Sequence, residues 1–105
     1  MKTYTICGSM RFEEEMKRIA LYLETQKHYN ILQCIYTDRV LTDTEKQQLA
    51  KAHYRKIDLS DGIYVLNIDG YIGESVIQEI RYAQELGKEI VYHCNDISRT
   101  KASLV

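Results

Sequence analysis

Glu79 is the residue whose surroundings in the chain most suggest chemistry. It lies in the run Asp61 to Lys88, DGIYVLNIDGYIGESVIQEIRYAQELGK. There the apolar stretch Ile63 to Ile68 leads into a glycine-bearing break, Asp69 to Gly73, and Glu74 to Leu86 then has helical periodicity. A strand, a loop and a helix in that order make a ligand cradle, because the first N–H groups of a helix lack intrahelical partners and favour anions. A carboxylate one turn inside such a helix points to chemistry on a phosphorylated or polyhydroxylated ligand. Ser75 and Glu79 are four residues apart, so they share a helix face, with Glu79 the deeper of the two. Glu74, nearer the helix start, suits the dipole and is the alternative carboxylate.

A second candidate loop is Gly8-Ser9-Met10-Arg11. Gly8 allows a sharp turn. The Ser9 hydroxyl and nearby N–H groups can bond a phosphate oxygen, and Arg11 can clamp it bidentately. The bland alternative is a helix-capping serine beside a solvated arginine. In the other loop, Tyr71 and Ile72 stand between Gly70 and Gly73, where they can wall a pocket, stack on a base or pack on a second subunit. Asp69 closes the third apolar stretch and is a possible proton donor. His53 stands partly on the inward face of a helix, where a histidine either packs or catalyses. Asp61 reads as a cap of the preceding turn, and Asp58 as an outward-facing neighbour. Neither a Walker A loop nor a GxGxxG fingerprint is present. His28, His53 and His93, with Cys7, Cys34 and Cys94, show no metal-ligand spacing, so no metal and no cofactor are expected.

The elements that must position these residues alternate. Thr3 to Cys7 reads as a first strand, and Arg11 to about Lys27 as an amphipathic helix with Phe12, Met16, Ile19, Ala20 and Leu23 on one stripe. Asn30 to Tyr36 reads as a second strand. A second helix starts at a Thr42 or Asp43 cap and runs to about Leu59, with Leu49, Ala52, His53 and Ile57 inward. Gly62 to Ile68 is a third strand. Ser75 and Gln78 match a capping box for a third helix, which Gly87 stops, and Glu89 to His93 is a fourth strand. The tail beyond, residues 94–105, is polar. Strands alternating with helices predict one α/β domain over residues 1–105, Rossmann-like or flavodoxin-like, with a parallel sheet of about four strands in order 2-1-3-4 and helices on both faces. In that order the loops after strands one and three meet at the switch point, where ligands bind.

Composition narrows the function classes. A net charge of −1 with no basic run argues against nucleic acid as partner. No stretch approaches the ~20 apolar residues of a membrane span. Three widely separated cysteines suit reduced thiols and a cytoplasmic location.

CGSMR after strand one, DGIYVLNI led by Asp61, GYIGES and EIRYAQELGK together resemble the nucleoside 2-deoxyribosyltransferase superfamily. They look closest to its small 2′-deoxynucleoside 5′-monophosphate N-glycosidase branch, over most of residues 3–93. The resemblance implies cleavage of an N-glycosidic bond, or deoxyribosyl transfer, on nucleotides. Glu79 in EIRYA matches the nucleophilic glutamate, Ser9 and Arg11 match the phosphate-binding loop, and Ser75 is a plausible addition. Gly8, Gly73, Tyr71 and His53 join them as expected substrate contacts, with Asp69 or His53 supplying the leaving-group proton. Where the family often carries a second aspartate before the strand-three aspartate, this chain has His53. The implied partners are a nucleotide or nucleoside and a second copy of the chain, as a homodimer or higher homo-oligomer. The alternatives are a non-catalytic nucleotide sensor and an NAD-cleaving domain.

Overall fold

The computed structural model describes residues 1–94. The polar tail expected at residues 94–105 therefore falls outside the described residues except for Cys94. Four strands, β1 (Thr3–Cys7), β2 (Asn30–Leu32), β3 (Gly62–Val65) and β4 (Glu89–Tyr92), alternate with three helices, α1 (Glu13–Gln26), α2 (Asp43–Asp58) and α3 (Glu74–Glu85). The sheet is wholly parallel in order β2-β1-β3-β4, the architecture and order the sequence predicts.

Side chains alternate across a strand, and the register sorts them into two cores. Tyr4, Ile6, Tyr64 and Leu66 face α1 and bury its stripe of Met16, Ile19, Ala20 and Leu23. Cys7, Ile63 and Val65 face the other way, against Ile57 of α2 and Val76, Ile80 and Ala83 of α3. Cys7 therefore sits on the face that carries both α2 and α3. Thr5, on that same side of β1, is buried, and its hydroxyl bonds Ser60 Oγ at 2.6 Å.

Helix ends follow local chemistry. A turn of 3-10 helix, Met10–Phe12, precedes α1, and Ser9 caps it by accepting the Arg11 N–H. Glu13, Glu14 and Glu15 then crowd the first turn of α1, where the dipole favours negative charge. α2 begins with a full capping box: the Thr42 hydroxyl accepts the Glu45 N–H at 3.1 Å, and Glu45 Oε1 accepts the Thr42 N–H at 3.0 Å. Gly87, at φ +71, supplies the left-handed residue that ends α3.

Several expectations need correction. The capping box expected at Ser75 and Gln78 does not form; Gly73 is the N-cap of α3, and no side chain caps it. β2 ends at Leu32, not Tyr36: its pairing with β1 stops at Thr5 and Leu32, and residues 33–36 leave the sheet. β3 ends at Val65, and Ile68–Gly70 forms a 3-10 turn in which Asp69 is left-handed at φ 55. Asp61 does not cap a turn. It accepts the Thr3 N–H at 2.8 Å and ties the start of β1, at the opposite end of the sheet from the loops. Asp58 does not point freely outward, since it accepts the Tyr82 hydroxyl. Within α2 only Ile57 is fully buried, so Leu49, Ala52 and His53 do not enter the core.

Candidate active site

A cleft of about 700 Å³ opens at the carboxyl ends of β1 and β3. That volume lies within the ~300–1,000 Å³ typical of small-molecule sites. Its floor is the loop after β1 and its rim is the segment leading into α3. The two loops meet: a Cβ built on Gly73 would lie 3.8 Å from Ser9 Cβ. Glycine at position 8 answers a demand for space, since its added Cβ would come within 2.9 Å of Met16 Sδ and 3.2 Å of Leu66 Cβ. Its φ is not positive, so packing rather than the sharp turn expected from the sequence requires the glycine.

Gly8, Ser9, His53, Tyr71, Gly73, Ser75 and Glu79 all line the cleft, as seven of the nine candidate residues. α3 contributes Glu74, Ser75 and Glu79. Its first backbone bond runs from the Ile77 N–H to the Gly73 carbonyl. With no side-chain cap at Gly73, the N–H groups of Glu74, Ser75 and Val76 stay available to an anion at the rim. Glu74 is exposed at the mouth. Glu79, one turn deeper, keeps 14% of its side-chain exposure.

Two candidates stand elsewhere. Arg11 is exposed and does not line the cleft; its guanidinium stacks on the outer side of the site, 4.0 Å from the centroid of the Tyr71 ring. Phe12 meets the same ring edge-on at 6.0 Å, so Tyr71 is braced by both residues. Asp69 is exposed in its left-handed turn and contributes nothing to the cleft, which removes the geometric basis for a proton-donor role.

At the inner end, β1 and both helices of its face converge. His53 Nε2 lies 3.5 Å from Cys7 Sγ and 3.4 Å from Glu79 Oε1. His53 Nδ1 is buried with no partner among the described residues, so the ring proton is best placed on Nε2, between sulfur and carboxylate. The Cys7 thiol then donates to the Thr5 carbonyl at 3.7 Å. The approach of Nε2 to Glu79 Oε1 lacks hydrogen-bond alignment, which leaves Oε1 a buried acceptor without a partner among the described residues. Burial, and then the charge of Glu79, hold the Cys7 thiol well above its ordinary range, so it stays protonated. Tyr54 is pushed up by the same two causes in the same order.

Sequence reasoning missed one wall of the cleft. Lys46, Leu49, Ala50, His53 and Lys56 of α2 face it, and Cys34, Ile35 and Leu41 of the segment before α2 complete an apolar side. The α2 residues recur at three- and four-residue spacing, so extending the face of Leu49 and His53 one turn each way would have found them. The segment after β2 carries no such signal, because residues up to Tyr36 read as strand and Thr37 to Thr42 as a polar loop. The convergence of Cys7 on His53 and Glu79 is also absent from any sequence spacing.

Comparison with protein-family models, with curated proteins and with solved structures finds no match to this chain. No helix among the described residues is long and apolar enough to cross a membrane.

Proposed function

We propose that this chain cleaves the N-glycosidic bond of a nucleoside monophosphate, with Glu79 as nucleophile. The observation that carries the reading is a buried carboxylate oxygen without a hydrogen-bond partner among the described residues, at the bottom of a cleft whose rim offers hydroxyls and the first N–H groups of a helix that no side chain among those residues caps. A stably folded domain rarely leaves such an acceptor unmet, and a ligand atom drawn to it supplies the reason to keep it. The chain's resemblance to the nucleoside 2-deoxyribosyltransferase superfamily points the same way.

In this mechanism the phosphate sits at the start of α3, held by Ser9, Ser75 and the free N–H groups there. The base lies against Ile35, Leu41 and Leu49. The Glu79 carboxylate attacks the anomeric carbon through an oxocarbenium-like transition state, and the departing base takes a proton from a water molecule in the open cleft. The hydroxide left by that water then attacks the glycosyl-enzyme ester and frees the sugar phosphate and the Glu79 carboxylate; a second base in place of water gives transfer. Phosphate binding at the rim fixes the sugar over Glu79, so remote binding energy serves orientation. Arg11 acts from outside by stacking Tyr71 in place.

The test is release of free base from a panel of ribo- and deoxynucleoside monophosphates, the matching nucleosides and NAD. Expected is release from a monophosphate, lost in Glu79→Ala and Glu79→Gln. No release from any compound at high enzyme concentration defeats the proposal. A nucleotide that raises the melting temperature equally in wild type and Glu79→Gln, and is recovered intact, replaces it with a sensor.

A further inference from the structure

Cys7 Sγ, His53 and Glu79 each present one ligand-type atom, and the three atoms lie within 4.8 Å of one another. Their spacing can be compared with a zinc ion's demands. With Zn–S near 2.3 Å, Zn–N near 2.0–2.1 Å and Zn–O near 2.0–2.2 Å, tetrahedral angles put sulfur about 3.6 Å from nitrogen and nitrogen about 3.4 Å from oxygen. Two of the three observed edges match: 3.5 Å from Cys7 Sγ to His53 Nε2 and 3.4 Å from His53 Nε2 to Glu79 Oε1; the third, sulfur to carboxylate, lies within 4.8 Å against the about 3.6 Å an ion asks for. Glu79 Oε1 is also the acceptor that lacks a partner among the described residues. The donors come from β1, α2 and α3, elements fixed by the sheet and by the core around Ile57, Val76 and Ile80. His53 and Glu79 both line the cleft, so an ion held by them would stand at its inner end.

We propose that these three side chains form a site for a zinc-type divalent cation, and that an ion bound there shuts the cleft down by occupying Glu79. The inhibitory half rests on the activity proposed above; the binding half does not. On binding, the thiol proton of Cys7 leaves to solvent and the imidazole proton moves to Nδ1. That nitrogen has no acceptor among the described residues, whereas a metal-bound histidine ordinarily donates its second N–H, and losing such a partner costs about 10–100-fold in affinity. The ion is accordingly a reversible occupant. Glu79 cannot ligate an ion and attack a sugar at once, so metal and turnover exclude each other. The mixed thiolate, imidazole and carboxylate set favours zinc-type ions over magnesium or calcium, which prefer oxygen alone.

The experiment titrates cobalt(II) into reduced, metal-free protein under anaerobic conditions. Expected are a sulfur-to-cobalt absorption band and tetrahedral visible bands that saturate at one equivalent and vanish on adding zinc. Both Cys7→Ser and Cys7→Ala lose the sulfur band, with far-UV circular dichroism confirming that each still folds, while Cys34→Ser and Cys94→Ser keep it. Absence of the band from wild type overturns the site, as does its survival in a folded Cys7 variant or its loss on changing Cys34 alone. In the base-release assay, zinc inhibits, EDTA restores the rate, and the zinc needed for half inhibition rises at least tenfold in Cys7→Ser, measured against that variant's own uninhibited rate. Base release that zinc at band-saturating concentration leaves untouched overturns the inhibitory half. A cobalt band in a protein that cleaves no nucleotide upholds the site and removes only the activity.

Discussion

Replacing Glu79 with glutamine should make the protein more stable while abolishing activity. The carboxylate is largely buried, and its Oε1 has no hydrogen-bond partner among the described residues although His53 Nε2 is 3.4 Å away. A buried polar atom left unmet costs about 1–3 kcal/mol. Glutamine keeps the shape, removes the charge and brings an amide N–H₂ that can donate toward Cys7 Sγ or, after a tautomer change, to His53 Nε2. Recovering the lower part of that range means a gain of about 1–2 kcal/mol. For a domain of this size each kcal/mol moves the melting temperature by ~4–8 °C, so Glu79→Gln should melt about 4–16 °C higher. Calorimetry or thermal circular dichroism measures the shift, and urea unfolding gives the free energy independently. A second readout is local: the Glu79 charge is the next cause after burial of the raised Cys7 thiol pKa. In Glu79→Gln the thiol should therefore titrate at lower pH than in wild type, yet above an ordinary thiol, because burial persists. A melting temperature unchanged or lowered in Glu79→Gln would mean that the acid is a satisfied structural group, and the case for a waiting ligand would collapse.

Three further expectations follow from contacts around the site and the sheet. Gly8→Ala should lose roughly 1–3 kcal/mol in urea unfolding, the usual cost of overpacking, since the added methyl falls 2.9 Å from Met16 Sδ and 3.2 Å from Leu66 Cβ; wild-type stability would show that Met16 swings aside freely. Arg11→Ala should raise KM for a monophosphate about two- to fivefold with little change in kcat, as expected for losing an exposed cation–π contact of ~0.5–1 kcal/mol that braces Tyr71; a fall in kcat alone would place Arg11 on the reacting atoms instead. Glu89 accepts from Lys2 Nζ at 2.9 Å and from the Tyr4 hydroxyl at 2.8 Å, and these bonds, Lys2 first, hold its carboxyl below the usual range. A carboxyl lowered in the folded state stabilises above its unfolded value and stops doing so as pH falls through the folded one. The advantage of wild type over Glu89→Gln, at most about 1 kcal/mol for so exposed a pair, should be present at pH 7 and fade as the pH falls below the ordinary carboxylate range; an advantage that grows on acidification contradicts the assignment.

The order of strands was legible because each apolar run is separated from the next by a helical stripe, and parallel pairing with right-handed crossovers leaves few ways to arrange four such units. Element ends were legible where a local bond decides them, as at Thr42 and Gly87. They were misread where tertiary contacts decide. NILQCIY has the composition of one continuous strand, yet residues 33–36 leave the sheet, and Lys56 Nζ donates to the Gln33 carbonyl at 2.7 Å to hold the departing segment beside α2. Ser75-x-x-Gln78 fits a capping pattern, but Gly73 takes the N-cap, and Ser75 lines the cleft instead.

The inner end of the site shows why spacing rules fail for a doubly wound sheet. Positions 7, 53 and 79 share no motif, and each has an ordinary local explanation: a strand cysteine, a helix histidine, a helix glutamate. What joins them is parity and crossover. Cys7 pairs with Val65 in register, and both point to the face opposite α1. Right-handed crossovers put α2 and α3 on that face, and α3 is held there by Val76, Ile80 and Ala83. With Ile80 and Ala83 packed inward, Glu79 turns along the edge of the contact toward α2. There Ile57, one turn beyond His53, fixes the rotation of the opposing helix. Two helices locked by their buried faces thus aim a carboxylate and an imidazole at the end of one strand. A shift of one residue in β1 would send Cys7 to the α1 side and dissolve the trio, and it would also take Tyr4 and Ile6 out of the core against α1, so the packing that fixes the register fixes the site as well.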